Sequence, residues 1–279
     1  MKGVRAPTGP EASTPLADPI DAQALQLRLT SGGTAWEILY RPKVDSTNRV
    51  VLELARQGAP EGTTVIAESQ TAGRGRLKRN WQSPPGLNLY LSCLLRPAVA
   101  AADASVITLT AGVAVAETVA LFCPEGVGLK WPNDVQIRGR KVCGILAELR
   151  MAKEGPPALV VGIGLNVNIT GADFDPAHRA TATSLREETG RCHCRQEVAF
   201  ELCSRLAKWY GLFLAEGFAP VRQAWLDRCG MTGRRVRVLF RDELREGVAA
   251  GIDRDGALLL ADGTGALQRI TAGDASVVK

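Results

Sequence analysis

The chain has 279 residues, enough to bury a substantial core in one large domain or two. Hydrophobic residues make up 46% and charged residues 23% of the chain, a composition typical of soluble globular proteins rather than of membrane-embedded chains. The formal net charge of +5 is modest, and it fits a nucleic-acid binder as well as an enzyme that handles polyanionic small molecules.

The N-terminal segment, residues 1–35, predicts a tail with one short helix. Proline, alanine, glycine and threonine dominate its first 19 residues, and a helix is expected over residues 21–29. The prolines stand where a secretory signal needs an apolar run, and no stretch reaches the roughly 18 apolar residues of a membrane span. We therefore expect a cytoplasmic protein. The segment is also too short for an independent DNA-binding domain.

Three polar residues follow a predicted strand at residues 36–40 and begin a helix that ends near Gly58. They are Ser46, Thr47 and Asn48. Such side chains either cap free backbone N–H groups or direct hydroxyl and amide groups towards a polar ligand. The residues alone leave both interpretations open.

A basic loop follows a buried-type strand at residues 63–67. It contains Gly73, Arg74, Gly75 and Arg76. Alternating glycines allow positive φ angles and close approach to an anion, and arginine supplies paired donors for phosphate or carboxylate. The loop is either a solvated basic turn or a mobile segment that folds over a phosphate-bearing ligand.

Lys130 is predicted at the end of an apolar strand, after a strand at residues 87–94 and a helix at residues 107–122. Pro132 favours extended geometry at Trp131, and Asn133 with Asp134 is a turn pair, so residues 131–134 predict a turn.

Two apolar strands are expected at residues 139–149 and 158–168, with glycines in their interiors. These glycines are Gly144, Gly162 and Gly164. Glycine within a strand often marks a bulge or a ligand that lies against the backbone, and these glycines would leave room for a flat or chain-like apolar ligand. Gly162 and Gly164 are not a dinucleotide-binding fingerprint, because the third glycine is absent and no helix clearly begins there.

Helices are expected from residue 183, at residues 198–214 and at residues 220–229. Short alternating strands then follow, separated by Asp-Gly turns, and predict a small β-barrel-like domain at residues 233–279. Cys192, His193 and Cys194 lack the second pair of ligands that a zinc site needs, so we interpret the seven cysteines as reduced thiols.

Four motifs in this order strongly resemble those of the bacterial biotin–protein ligases. They are residues 46–48, Gln70 with residues 73–76, residues 130–134 and residues 162–168. Residues 141–148 and the closing β segment also fit, and the resemblance runs from about Trp36 to the C-terminus. Each motif alone is weak, but all of them in one order are specific.

The resemblance implies an α+β fold, with a mixed-sheet catalytic domain at residues 36–232 and an SH3-like β-barrel at residues 233–279. It implies an ATP-dependent enzyme that forms biotinyl-5′-AMP and transfers biotin to a lysine of a biotin carboxyl carrier protein. Mg²⁺ is the expected cofactor, with biotin and ATP as substrates. We expect a monomer or homodimer that binds no DNA and no membrane.

The resemblance also implies roles for individual residues. Lys130 and Arg76 are the expected catalytic residues. The biotin-binding set is Ser46, Thr47, Asn48, Gln70, Arg74, Gly75, Arg76, Lys130, Gly144, Gly162 and Gly164. The nucleotide-binding set is Gly73, Arg74, Arg76, Trp81, Lys130, Asn133 and Asn166. Asp134 is the expected metal ligand.

The chain departs from the family pattern at three places. Leu77, Lys78 and Arg79 stand where many members have a further Gly-Arg pair, which predicts a stiffer end of the loop. An aromatic residue that stacks on adenine is not obvious before residues 183–185. Residues 1–35 offer no counterpart of the winged helix of the bifunctional ligase–repressors, so we expect a ligase without an operator-binding role.

Two other functions compete with this interpretation. A lipoate or octanoate ligase or transferase shares the fold family and the transfer of an acyl group to lysine. The Gly-Arg loop together with residues 130–134 favours biotin. A nucleic-acid-binding protein would require aromatic residues among the basic residues of the barrel strands, and Phe240 is the only aromatic in that segment.

Overall fold

The computed structural model of the chain describes residues 19–97, 104–150, 157–240 and 243–278. The tail expected at the N-terminus lies, for residues 1–18, outside the described residues. The helix expected next to it is α1 (Ala22–Ser31), which begins at the N-cap Asp21. The Asp21 carboxylate accepts a hydrogen bond from the Ala24 N–H at 2.9 Å.

A seven-stranded mixed sheet forms the larger part of the fold, in the order β1-β2-β3-β7-β6-β5-β4. Only β1 and β2 pair in parallel, and the other neighbours within the sheet are antiparallel. The strands are β1 (Ile38–Arg41), β2 (Thr64–Ala67), β3 (Leu89–Leu95), β4 (Val127–Lys130), β5 (Asp134–Ile137), β6 (Arg140–Arg150) and β7 (Ala158–Leu165). The mixed sheet confirms the expected catalytic-domain fold.

Helices cover both faces of this sheet. The larger core joins one face to the longer helices, and the smaller core joins the other face to α2 through Val51, Val65 and Leu94. The helices after α1 are α2 (Thr47–Arg56), α3 (Ala104–Phe122), α4 (Leu185–Thr189), α5 (Arg195–Glu216) and α6 (Phe218–Leu226). Because side chains alternate along a strand, Ile145 and Ile163 join the larger core while Gly144 and Gly164 face the α2 side.

Helix α3 is long and apolar enough over residues 105–122 to cross a membrane by length and composition. The expectation that no segment would meet this criterion was therefore wrong. Within the fold, 67% of that window is buried against the sheet and α5. The helix is thus the central core helix, and its apolar surface faces protein on most sides.

The C-terminal part forms a separate antiparallel sheet of five strands, in the order β11-β10-β9-β8-β12. They are β8 (Arg235–Phe240), β9 (Glu243–Ile252), β10 (Leu258–Ala261), β11 (Leu267–Ile270) and β12 (Asp274–Val277). This second sheet confirms the β-domain that the short alternating runs predicted. Its last strand, β12, was not expected and pairs with β8.

The chain after Lys130 makes the predicted turn over residues 131–133, but the strand that follows it was not expected. Asp134 begins β5, and the hairpin between β5 and β6 turns at Arg138 and Gly139, which both have positive φ angles. The Trp131–Pro132 peptide bond is cis. The sequence did not predict strand β5, because the strand has only four residues and the preceding Pro and Asn favour a turn.

Candidate active site

A cavity of about 980 Å³ lies on the α2 side of the large sheet and reaches the C-terminal β-domain. It is lined by the basic loop, the start of α2, the interior glycines of β6 and β7, and the start of β12. All predicted site residues except Gly73 line it. Residues from Ser46 to Asp274 therefore meet in one site.

The polar triplet forms the floor at one end of the cavity. The Thr47 N–H and hydroxyl donate hydrogen bonds to Gln70 Oε1 at 2.9 and 3.2 Å. The Ser92 hydroxyl lies 2.7 Å from Thr47 Oγ1 and 2.6 Å from Asn48 Oδ1. Within the described chain, no Ser46 side-chain hydrogen bond caps α2. Thr47 and Asn48 thus serve the buried polar network, while Ser46 lines the cavity beside them.

The network continues from Asn48 to the basic loop. Asn48 Nδ2 donates to Glu148 Oε2 at 2.8 Å, and Arg74 Nη2 lies 3.5 Å from the same carboxylate oxygen. Ser92 and Glu148 were not among the predicted site residues. Ser92 lies in no recognisable motif, and Glu148 ends the matching segment at residues 141–148, but only the pairing of distant strands brings them under the triplet.

The interior glycines form a trough in the sheet, and the Trp81 indole lies in it. Gly144 and Gly164 are directly paired across β6 and β7. A Cβ added at Gly164 would lie 2.5 Å from the Trp81 ring, and one at Gly144 would lie 2.9 Å from it. At Gly162 an added Cβ would collide with the Asn48 amide. The glycines therefore leave room for the Trp81 indole and the Asn48 amide to approach the strands closely, and the ligand expected on this part of the sheet stays a prediction.

The Trp81 indole lies within the trough itself, against Gly144 and Gly164. Its Nε1 is buried and has no hydrogen-bond partner in the described part of the chain. The Lys141 ammonium lies 5.4 Å from the centroid of its ring. An apolar ligand in the trough would replace the indole and its contacts with the glycine backbone.

Two lysines flank one carboxylate at the centre of the cavity. Lys130 Nζ lies 3.8 Å from Asp134 Oδ2, and Lys141 Nζ lies 2.5 Å from Asp134 Oδ1. Lys141 was not among the predicted site residues, although its motif was noticed. Antiparallel pairing of β5 and β6 brings it beside the trough, where its Nζ would lie 3.1 Å from a Cβ at Gly144.

The basic loop is folded back on itself and is joined to the second domain. The Trp81 N–H donates to the Gly73 carbonyl at 2.9 Å, and the backbones of Arg74 and Asn80 pair as an isolated antiparallel β-bridge. Arg76 Nη1 lies 3.1 Å from Asp274 Oδ1 and 3.3 Å from Asn133 Oδ1. Burial lowers the pKa of the Arg76 guanidinium, and the charges of Asp274 and Asp134 oppose that shift.

The glycines of the loop do not have the positive φ angles that the alternating pattern predicted. Leu77 and Lys78 take them instead, at 53° and 59°. A Cβ at Gly73 would lie 2.6 Å from the Trp81 carbonyl oxygen, so Gly73 is required by close approach. The positive φ at Lys78 falls at one of the positions where the family pattern was expected to differ.

The far end of the cavity is closed by residues 180–183. Asn166 Nδ2 donates to the Thr183 carbonyl at 2.9 Å, and the Lys141 N–H donates to the Thr181 carbonyl at 2.7 Å. Glu188 supports this segment through Thr183. Burial raises the pKa of the Glu188 carboxyl, but hydrogen bonds from Thr183 and Arg138 outweigh it and hold that pKa below its usual value.

The donor set around Asp134 is a poor fit for a metal ion. Among the residues that the structure describes, no group of three or more His, Cys, Asp or Glu side chains could hold one. Both Asp134 oxygens face lysine ammonium groups, which compete with a cation. Mg²⁺ usually binds through one or two carboxylates and the phosphates of its substrate. The residues around Asp134 therefore do not fit the expected role of Asp134 as a metal ligand.

Two family descriptions match the sequence. The Biotin/lipoate A/B protein ligase family matches residues 40–168, and the Biotin protein ligase C terminal domain matches residues 232–278. Among curated relatives, the biotin--[acetyl-CoA-carboxylase] ligase of Mycobacterium tuberculosis is 35% identical over 270 residues, covering 93% of this chain and 96% of that protein.

A second relative and a solved structure also carry biotin ligase names. The ligase of that name from Paracoccus denitrificans is 36% identical over 78% of this chain and 91% of its own length. Among solved structures, a biotin protein ligase from Aquifex aeolicus in complex with biotin and ATP is similar, with a TM-score of 0.76 and 30% identity. That match covers 87% of this chain and 98% of the Aquifex chain.

Proposed function

We propose, since the chain belongs to the biotin protein ligase family, that it activates biotin with ATP and transfers it to a lysine of a biotin-carrying protein. The observation that carries the proposal is the cavity, where the polar triplet, the glycine trough, two lysines and two loop arginines meet. Biotin has a polar ureido head, an apolar ring and chain, and a carboxylate. The polar triplet matches the ureido head, the glycine trough matches the apolar ring and chain, and the lysines and arginines match the carboxylate that reacts with ATP.

The ureido head binds at the triplet. Thr47 and Asn48 are fixed by Gln70, Ser92 and Glu148, so the remaining lone pairs of their side-chain oxygens are already oriented before biotin enters. Such preorganisation reduces the entropy lost on binding. The ring and chain lie on Gly144 and Gly164 in place of the Trp81 indole, while Gly162 leaves room for the Asn48 amide that faces the ureido head. Ser46 lines the cavity beside Thr47 and Asn48.

The reaction takes place beside the two lysines. A carboxylate oxygen of biotin attacks the α-phosphorus of ATP, the bond to pyrophosphate breaks, and biotinyl-5′-AMP forms. Both reacting groups are anions, so fixed positive charge lowers the barrier. Lys130 and Lys141 are held by Asp134 at this point, and their ammonium groups hydrogen-bond the carboxylate and the α-phosphate. An acceptor lysine amine then attacks the activated carbonyl carbon, and AMP leaves.

The basic loop covers the adenylate. Arg74 and Arg76 lie over the cavity at its two ends, where their guanidinium groups can bind phosphate oxygens in pairs. Asn133 orients Arg76, since its Oδ1 accepts from Arg76 Nη1 and its Nδ2 donates to the Ile145 carbonyl. A covered mixed anhydride is protected from hydrolysis. The adenosine part lies towards Asn166 and residues 180–183.

The finer expectations belong to the same proposal. We expect a biotin carboxyl carrier protein as the acceptor, a cytoplasmic location, Mg²⁺ bound to ATP, no DNA binding, and a monomer or homodimer. The proposed division is a catalytic domain at residues 36–232 and a β-domain at residues 233–279. Arg76 and Asp274 join the two across the cavity.

The experiment that tests the proposal is transfer to an acceptor. The purified chain, biotin and MgATP are incubated with a biotin carboxyl carrier domain, and the acceptor is measured by intact mass spectrometry. We expect a mass increase equal to one biotinyl group, that is, biotin less one water, and no increase when the acceptor lysine is replaced by arginine. An unmodified acceptor in the presence of all components would contradict the proposed transfer.

A further inference from the structure

The basic loop is attached to the start of β12, about 200 residues further along the chain. Arg76 donates from Nη1 to Asp274 Oδ1 at 3.1 Å and from Nη2 to the Gly273 carbonyl at 3.1 Å. Arg79 Nη2 lies 2.6 Å from Asp274 Oδ2. Two loop arginines therefore share one carboxylate of the C-terminal β-domain.

The backbone of β12 is shaped for this contact. Gly273 has a φ of +133°, and a Cβ there would lie 2.8 Å from the Leu239 carbonyl oxygen and 2.7 Å from Val238 Cγ1. Only glycine fits this close approach to β8. It presents the Gly273 carbonyl and the Asp274 carboxylate side by side to the Arg76 guanidinium.

The Asp274 side chain is mostly shielded from solvent, with 26% of it exposed, and so is that of Arg76, with 24% exposed. A charge-assisted bidentate contact in such a setting is stronger than a surface ion pair. The two acceptor oxygens facing Arg76 also resemble two oxygens of a phosphate group.

We infer that Asp274 is a positioning residue of the ligase: it holds Arg76 and Arg79 over the cavity before substrate binds, and it yields Arg76 to a phosphate oxygen afterwards. The first half of this inference concerns the ligand-free protein alone. The second half rests on the proposed function, because it requires a phosphate-bearing ligand in the cavity.

Limited trypsin digestion of the full chain tests the first half directly, since the loop contains cleavable bonds after Arg74, Arg76, Lys78 and Arg79. Asp274→Asn keeps the size of the side chain and removes its charge. We expect cleavage in the loop of the ligand-free Asp274→Asn protein to be roughly tenfold faster than in the wild type. Asp274→Glu restores a carboxylate and should slow cleavage again.

Glu243→Gln is the matched control, because this exposed carboxylate of β9 pairs with Arg245 and does not contact the loop. Its cleavage rate should equal that of the wild type. Arg79→Gln removes one half of the contact from the exposed side without altering the β-domain, and it should also speed cleavage after Arg76. Equal loop cleavage in wild type, Asp274→Asn and Arg79→Gln would overturn the inference.

Addition of biotin and MgATP separates the two halves. We expect the loop of both the wild type and Asp274→Asn to become protected, since phosphate oxygens replace the carboxylate. If ligand protects neither protein but Asp274→Asn is still cleaved faster, the positioning role stands and the proposed function is contradicted. If ligand protects the wild type and leaves Asp274→Asn fully cleavable, Asp274 is not exchanged for phosphate, and the second half is overturned.

Discussion

Lys130 and Lys141 lie on opposite sides of Asp134, and each is close enough to contribute its charge to the reacting groups. Asp134 fixes the two ammonium groups without removing the net positive charge of the trio. A single carboxylate thereby orients two donors at the place where negative charge accumulates.

Lys130→Ala and Lys141→Ala should each reduce the rate of biotinyl-5′-AMP formation by about 100-fold or more, the usual effect of losing one donor to transition-state charge. The melting temperature should change little, because both side chains lie at the cavity surface. Lys43→Ala is the control, since Lys43 is exposed and outside the cavity. Full activity of either cavity variant would remove that lysine from the mechanism.

Gly164→Ala tests the trough. The added methyl would lie 2.5 Å from the Trp81 ring and would occupy the surface on which biotin lies. Overpacking of this kind costs about 1–3 kcal/mol, so the biotin dissociation constant, measured by titration calorimetry, should rise roughly 5- to 150-fold. In the control, Gly211→Ala in α5, an added Cβ meets nothing within 4 Å, and biotin affinity should not change. Wild-type affinity of Gly164→Ala would place biotin elsewhere.

For individual residues, the sequence predicts which residue types line the cavity better than it predicts their backbone angles and contacts. The strand glycines mark close approach in the sequence, and the structure uses them in that way. The loop glycines suggest positive φ angles that belong instead to Leu77 and Lys78. Lys141, Ser92 and Glu148 join the site through strand pairing, which no local pattern specifies.

Among the elements, the basic loop carries the clearest functional expectation. Its backbone is closed by the Gly73–Trp81 hydrogen bond, while its arginines contact Glu148 at one end and Asp274 at the other. The loop is thus a cover with two attachment points, and its removal from the cavity requires both contacts to break.

Arg76→Gly should loosen this cover, because it removes the contacts with Asp274 and Gly273 in the ligand-free protein and the proposed contact with the adenylate phosphate in the complex. Release of biotinyl-5′-AMP into solution, followed by rapid filtration, should become at least about tenfold faster. Arg254→Gly, at a side chain that is 93% exposed in the β-domain, provides a control with the same change of residue. An unchanged release rate would show that Arg76 does not cover the adenylate.

Long and strongly patterned elements were predictable from the sequence, and short ones were not. Helix α5 and strands β6 and β7 have apolar patterns that continue over eight or more residues. Strands β5 and β12 have four residues each, and their conformations depend on neighbours from other parts of the chain.

The free energy of unfolding of the whole molecule should depend on pH through His193. Burial lowers the pKa of the His193 imidazole, and the charge of Arg191 lowers it further. The ring packs edge-on against Phe122, and its Nε2 lies 2.7 Å from Thr189 Oγ1. The unfolded chain therefore binds a proton at this site more readily than the folded one.

The sign of the effect follows from this difference in proton binding. The contribution of His193 to stability is present above the unfolded-state pKa of about 6.5 and is lost as pH falls below it. The unfolding free energy from urea titrations should drop more steeply between about pH 7.5 and pH 5.5 in wild type than in His193→Gln, which keeps a neutral hydrogen-bonding side chain. Parallel pH profiles for the two proteins would contradict this assignment.

The contact of Arg76 with Asp274 of the β-domain is the feature that the sequence could least predict. Arg76 and Asp274 are separated by 198 residues, and β12 itself has no strong pattern. The order of the motifs could be read from local spacing, and the fold class was implied by the family that those motifs resemble. The way the β-domain completes the cavity depends on how its buried residues, such as Val236 and Ile252, pack into the same core as the large sheet and its helices.

Isotope exchange between pyrophosphate and ATP tests the central claim most directly, because it reports activation of the acid without any acceptor protein. The purified chain is given labelled pyrophosphate and MgATP, with biotin in one reaction and lipoate in another. We predict exchange with biotin and none with lipoate. Exchange with lipoate alone would retain the fold and contradict the substrate, and no exchange with either acid would contradict adenylate formation in this cavity.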